Sequence, residues 1–538
     1  MENNAAPFRL DRLPRPVLAA AAGCFVAGFF AHIFAFTNII PNSDGVSRVF
    51  DAQQMTISGR WFLHYASVFH AYFQAPAVIG FWALLFLSLA AGLSASLLRF
   101  QHSGLSALCG ALMSVFPSVA YTFLYLFTAS AYCFGIFLAV LSVWLVARYK
   151  YGFLFAAPVL ACSVGTYQAY LAVAASLALI RVLLDALGGG QSAKEILRRG
   201  LKYLAFLALG LGLYALLLWI FLRVKQLELL DYKDISSFGG MGLSALLSKI
   251  RSAYKEFLRY YFVPRSFARY TTSVTVLGNA ALGLTALWAL AQVMRRVNWN
   301  RKPGLLPLAL LLCCLLPLAL NLTVLMGDAM PIMRYALVLS YGLCLALVDR
   351  ALAPKPAKPA KAAPARQMRW QPWMHGAACC AASLLLILSF QIDNLAYTVS
   401  AQAHRSTESF VTRLVERIES TPGYRNGMEV CIIGGFPSNV YYNEMEIFSL
   451  VEDYSDLSSS VIPLNKHVYY YLNDWMNIPW QTPGEDVLQA LSDSALFQAM
   501  PLYPDDGSIV IAEGRVIVKL ASQYIPKKAY EIAYENRR

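Results

Sequence analysis

The sequence predicts a mainly α-helical, polytopic membrane protein of about 11 transmembrane helices, followed by a C-terminal α/β domain outside the membrane. Three observations lead there. Of 538 residues, 58% are hydrophobic and only 14% charged, a balance that excludes an ordinary soluble protein. Apolar runs long enough to cross a bilayer recur through the first 390 or so residues and then stop. Charge divides at the same place: residues 1–391 hold 33 basic and 12 acidic residues, whereas 392–538 hold 11 basic and 19 acidic.

The expected spans are 17–37, 77–98, 104–122, 127–147, 152–166, 168–186, 201–222, 273–293, 305–325, 333–349 and 374–391. Basic residues gather on alternate connections. They precede the first span (Arg9, Arg12, Arg15) and follow the second (Arg99), fourth (Arg148, Lys150) and sixth (Lys194, Arg198, Arg199). They recur after the eighth (Arg295, Arg296, Arg301, Lys302) and the tenth (Lys355 to Arg369). The positive-inside rule then puts residues 1–16 in the cytoplasm and the C-terminal domain outside. The net charge of +13 therefore follows from topology and does not point to nucleic acid.

The domain plan is a cytoplasmic N-terminus (1–16), a transmembrane domain (17–391) and an outer α/β domain (392–538). Within the second lie outer loops 38–76 and 223–272 and a cytoplasmic linker 350–373, whose APKPAKPAKAAPAR stretch reads as a polyproline-like tether. In loop 223–272, apolar residues at 243, 246, 247, 250, 254, 257, 258 and 261 mark an amphipathic helix that should lie along the outer membrane surface. In the outer domain, helices are expected at 400–420 and 484–492. A buried strand is expected at 428–433, and a hairpin in SIVIAEGRVIVKL turning at Gly514.

Nine of the ten cysteines sit in or beside apolar spans, with only Cys431 in the outer domain, so no internal disulfide framework is expected there. His32, His64, His70 and His102 show no metal-ligand spacing and read as incidental. No nucleotide-binding signature appears: GGGQSAKE, from Gly188, lacks the closing GK[ST] of a phosphate-binding loop.

Chemistry concentrates just after the first span, in PNSDGVSRVFDAQQMTISGRW, where Asp44, Arg48, Asp51 and Arg60 stand at the membrane edge. Charges there are costly to desolvate, which favours ligand binding or catalysis. Asp44 and Asp51 are seven apart and would share one helical face with Arg48 between them. Either carboxylate could act as a general base or hold a cation; a juxtamembrane ion-pair network is the alternative. Arg60 suits bidentate phosphate contact, and Trp61 offers a flat face to a sugar or an isoprenoid. Two further outward turns add Tyr167 and Gln168 (GTYQAY), then Asp328 and Arg334 (MGDAMPIMR). These could contact a polar ligand or only tether helices.

The SDG…R…SGRW element, the TYQAY turn and the closing MPLYPDDGSIVIAEGRVIVKL together resemble the Gtr type II glucosyl transferase family, from Asn42 to about Leu520. These are bacterial integral-membrane enzymes of O-antigen glucosylation and serotype conversion. The resemblance implies a GT-C-like fold in the inner membrane. It also implies transfer of glucose, or a related hexose, from an undecaprenyl-phosphate sugar to a surface polysaccharide such as lipopolysaccharide on the periplasmic face. It singles out Asp44 as catalytic carboxylate, with Asp51 second. Arg60 and Arg334 would hold the donor phosphate, and Tyr167 and Gln168 would position a sugar. SDG stands where some GT-C members carry paired acids, so a divalent cation (Mg or Mn) stays open. A non-enzymatic polysaccharide or lipid transporter is the competing reading. It predicts charges buried mid-span, and the spans are almost free of them.

Overall fold

A computed structural model describes residues 13–47, 49–229, 243–263, 272–297, 299, 302, 304–326, 329–353, 371–436 and 461–525. Arg48 and Asp328 lie outside the described residues. The chain is a mainly α-helical polytopic membrane protein. Among the described residues nine helices are long and apolar enough to cross a membrane, and two shorter apolar helices accompany them. In chain order the bundle contains α1 (Arg15–Thr37), α2 (Pro76–Leu98), α3 (Ser103–Val115), α4 (Pro117–Leu124) and α5 (Leu126–Arg148). It continues with α6 (Gly152–Thr166), α7 (Tyr170–Leu187), α8 (Ala193–Val224), α9 (Leu243–Phe262) and α10 (Thr272–Met294). Then come α11 (Leu305–Leu320), α12 (Val338–Leu352) and α13 (Gln371–Glu419).

A helix stands at every expected span, but three details differ. The third span is broken into α3 and α4 at Phe116, which takes an extended backbone (φ −63°, ψ 135°) because Pro117 follows it. Helix α8 starts eight residues early: Ser192 and Glu195 form a capping box that carries the charged segment into the helix. The largest difference is α13. The expected membrane span, domain boundary and outer helix are one continuous helix of 49 residues, because no glycine or proline interrupts the chain between Gly376 and Pro422.

Helix α13 links the two parts of the molecule. At its membrane end, His32 Nε2 lies 2.7 Å from the Ser114 carbonyl and therefore donates to it. His32 Nδ1 is left to accept from Tyr397 Oη, 2.7 Å away on α13. His32 thus ties α1, α3 and α13 together. Further along, Phe410, Val411, Leu414 and Ile418 of α13 pack the core of the C-terminal unit. That unit has a three-stranded sheet in the order β1 (Glu429–Ile433), β3 (Arg515–Lys519), β2 (Ile509–Ala512), with β1 and β3 parallel. The β2–β3 hairpin turns through Glu513 and Gly514, both at positive φ (52° and 76°), as a tight two-residue turn of this hand requires. Helices α14 (Asn465–Trp475) and α15 (Glu485–Ser492) accompany the sheet.

Helix α9 packs on the bundle through Tyr254, whose hydroxyl donates to the Cys314 carbonyl at 2.5 Å, and Tyr261, which donates to Leu337 at 2.9 Å. Leu246, Leu247, Leu258 and Phe262 stay exposed beside it.

Candidate active site

Loop 38–76 does not form the helix that the seven-residue spacing of Asp44 and Asp51 suggested. Asn42 sets a turn instead: its side-chain Oδ1 accepts from Gly45 N at 2.6 Å and its carbonyl from Val46 N at 3.0 Å. Asp44 stands exposed on that turn. Beyond it Phe50 pairs with Phe73 in an antiparallel bridge, with Asp51 N donating to Tyr72 and Gln74 N to Val49, both at 3.0 Å. Asp51 is buried and its Oδ1 accepts from Gln53 N at 2.8 Å, so it shapes the loop from within. The two carboxylates therefore share no helical face.

What gathers the loop is the first part of α5. The ring of Phe127 would lie 3.4 Å from a Cβ placed on Gly45, and the Phe127 carbonyl accepts from Gln53 Nε2 at 3.3 Å. Ser130 Oγ lies 2.7 Å from His70 Nδ1. Tyr132 Oη accepts from Arg60 at 3.1 Å. The Asp44 turn, the Asp51 segment and Arg60 are thus seated on one helix between Phe127 and Tyr132, ~7.5 Å of helix axis.

Arg60 is held further by a cation–π contact, its guanidinium carbon 4.9 Å from the centre of the Tyr167 ring. Tyr167 itself stacks on Tyr132, with ring centres 4.7 Å apart and planes 9° from parallel. The two motifs SGRW and TYQAY meet here. Gln168 Nε2 donates to the Ser58 carbonyl at 2.8 Å, Tyr214 Oη of α8 donates to Gly59 O at 3.1 Å, and Phe62 N donates to Gly165 O at 2.9 Å. Gly59 sits at φ 81°, in the left-handed region glycine favours.

Four of the residues singled out in the sequence are engaged by neighbours within the fold. Trp61 is 5% exposed, stacked on Phe221 at 5.3 Å and pressed against Gly165, so its indole packs a helix junction and presents no open face. Tyr167 and Gln168 are 5% and 8% exposed and hold the Arg60 segment from behind. Arg334 faces Glu256 of α9 at 3.6 Å, and its Nε donates to Ala329 O at 3.2 Å, which ties the MPIMR turn to the amphipathic helix. Ser118 Oγ on α4 anchors the same turn by donating to Pro331 O at 2.5 Å.

Sequence reasoning missed Phe127, Ser130, Tyr132 and Tyr214, which read as ordinary span residues. It also set His70 aside. His70 is buried beside Ser130, and burial pushes its imidazole down to about 4, with the nearby Asp51 carboxylate pulling it partly back. His64 holds the Ala52 carbonyl at 2.6 Å and stacks on Tyr72 at 5.1 Å.

Among the described residues no group of three or more His, Cys, Asp or Glu side chains could hold a metal ion.

The loop also reaches the C-terminal unit. Val46 is buried in the core formed by Phe410, Tyr471 and Leu472, and Trp475 Nε1 donates to the Val46 carbonyl at 2.8 Å. Asp44 therefore lies where the helical bundle and the C-terminal unit join.

No curated protein and no solved structure matches the chain. A family model described as glucosyl transferase GtrII matches residues 33–348, which takes in the whole of loop 38–76, helix α5 and the TYQAY turn, and the chain belongs to that family.

Proposed function

We propose that this glucosyltransferase takes glucose from a polyprenyl-phosphate donor and places it on a surface polysaccharide, such as the O-antigen of lipopolysaccharide. It would act at the periplasmic face of the bacterial inner membrane, with the N-terminus cytoplasmic and the C-terminal domain periplasmic. The observation that carries the reading is the seating of the Asp44 turn and Arg60 on the same two turns of α5. In this reading Asp44 accepts the proton of the acceptor hydroxyl as that oxygen attacks the anomeric carbon. The glycosyl–oxygen bond to the lipid breaks at the same centre, and negative charge grows on the departing phosphate.

Arg60 meets that charge. A guanidinium stacked on a tyrosine face presents its N–H groups in its own plane, the geometry that grips a phosphate through two oxygens. Because Arg60 is already fixed by Tyr132 and Tyr167, little reorganisation accompanies the transition state. The acceptor glycan would approach from the outer domain side, where Val46 and Trp475 lock the loop. The exposed apolar side of α9 would border entry of the lipid donor.

The test is transfer by the purified protein with polyprenyl-phosphate glucose or a nucleotide sugar as donor. Transfer is expected from the lipid donor alone. Arg60→Gln should raise KM for that donor at least tenfold and lower kcat, with Arg60→Lys recovering part of the loss. Equal use of the nucleotide sugar, or an unchanged KM in Arg60→Gln, would contradict the proposal.

A further inference from the structure

The far end of the bundle carries a second concentration of charge that glucosyl transfer does not use. Helix α7 starts at Tyr170, beside the TYQAY turn, and reaches Asp185 ~22 Å further along its axis. The Asp185 side chain is 3% exposed and pairs with Arg99 at 2.9 Å, with Arg181 at 3.4 Å and with Arg199. One carboxylate cannot neutralise three guanidiniums. These groups line a cavity of about 330 Å³ to which Arg148, Lys150 and Lys202 also contribute. Asp185 is the only acid among its lining residues, against six cations.

The extra cations are not absorbed by other carboxylates. Lys202 Nζ donates to the Val146 and Tyr149 carbonyls at the end of α5, at 3.1 and 3.4 Å, where it offsets the negative helix terminus. Arg148 and Lys150 are exposed at the rim and make no ion pair among the described residues. A positive-inside bias alone would scatter such residues over water-facing loops. Here they surround a concavity of ligand-site size, with guanidinium forks suited to phosphate oxygens. Helix α8 turns Arg199, Lys202 and Tyr203 to the cavity and leaves Leu197, Leu201 and Leu204 exposed on its opposite face, so an apolar surface suited to lipid lies one helix width from the charge.

We propose that this cavity binds a phosphate anion presented as the headgroup of an anionic membrane lipid, its phosphate among Arg199, Lys202 and the rim cations. The proposal is independent of the donor site and of which sugar is moved. It is tested on the full-length protein in neutral detergent, titrated separately with phosphatidylglycerol, with phosphatidylcholine of the same chains, and with inorganic phosphate. Thermal unfolding and lipid retention in native mass spectrometry are the readouts.

Phosphatidylglycerol should raise the melting temperature saturably and remain bound, with phosphatidylcholine doing neither. The rim variant Arg148→Gln/Lys150→Gln should weaken apparent phosphatidylglycerol affinity about tenfold, and Lys202→Met by as much again. Should Lys202→Met fail to fold, the exposed rim pair carries the test by itself. A phosphatidylglycerol effect unchanged in the rim variant, or matched by phosphatidylcholine, would overturn the site. An equal effect of inorganic phosphate at matched phosphate concentration would overturn the lipid as its source.

Discussion

Gly59 is the point at which the SGRW and TYQAY segments of the site are pinned together, and Gly59→Ala perturbs it with a single methyl group. A Cβ built there would stand 2.4 Å from Gln168 Nε2 and 2.8 Å from Tyr214 Oη. Both atoms are fixed by hydrogen bonds to the backbone on either side, Gln168 to Ser58 O at 2.8 Å and Tyr214 to Gly59 O at 3.1 Å. Alanine at φ 81° costs ~1 kcal/mol in backbone strain. Forcing apart two buried hydrogen bonds adds ~1 kcal/mol each. The expected destabilisation is therefore ~3 kcal/mol.

Arg60 follows directly, so a displacement of the order of 1 Å should also slow glucosyl transfer by roughly 100-fold. Thermal unfolding of the detergent-solubilised protein and the initial rate of transfer measure the two effects. Gly212→Ala is the control, since nothing lies within 4 Å of its Cβ position and its helical backbone accepts alanine. A Gly59→Ala protein with wild-type melting temperature and rate would refute the pinning.

Two further predictions concern charge. The His70 imidazole is held down to about 4 from an ordinary 6.5, so the unfolded chain binds its proton first as pH falls. The stabilisation from His70 is fully present above pH ~6.5 and is lost progressively between there and pH ~4, so the melting temperature should fall across that window. His70→Gln, which can keep a hydrogen bond to Ser130, should flatten the decline, and an unchanged slope would remove His70 as its cause. Glu256→Gln removes the partner of Arg334 (3.6 Å) and Arg259 (3.0 Å) in a partly exposed setting. It should change stability by less than ~1 kcal/mol, because Tyr254 and Asn321 still anchor α9. A large loss of melting temperature would show that the ion pairs, not those hydrogen bonds, hold the helix.

The spans were legible because a bilayer imposes apolar length, and that signal survives without knowledge of tertiary contacts. The continuity of α13 was also legible in principle, since no breaker stands between Gly376 and Pro422; the change in composition at Ile392 drew attention away from it. The β2–β3 hairpin could be read from its turn residues and alternation. The site was legible only as two motifs. That SGRW meets TYQAY depends on Gln168 and Tyr214, and nothing in spacing ties residue 59 to residue 214. The helical-face reading of Asp44 and Asp51 failed because an Asn42 turn and a bridge to Phe73, one local and one tertiary, override seven-residue periodicity. Trp61 looked like an open platform because exposure cannot be read from residue type; Phe221, 160 residues away, covers it.

The measurement that bears most directly on the proposed reaction is glucose transfer by Asp44→Asn in purified protein, with donor binding followed in parallel. Asparagine keeps the size of the side chain on its exposed turn but cannot take up the acceptor proton. The account predicts a fall in kcat of at least ~100-fold with donor affinity and melting temperature near wild type. Transfer at the wild-type rate by a normally folded Asp44→Asn protein would contradict it.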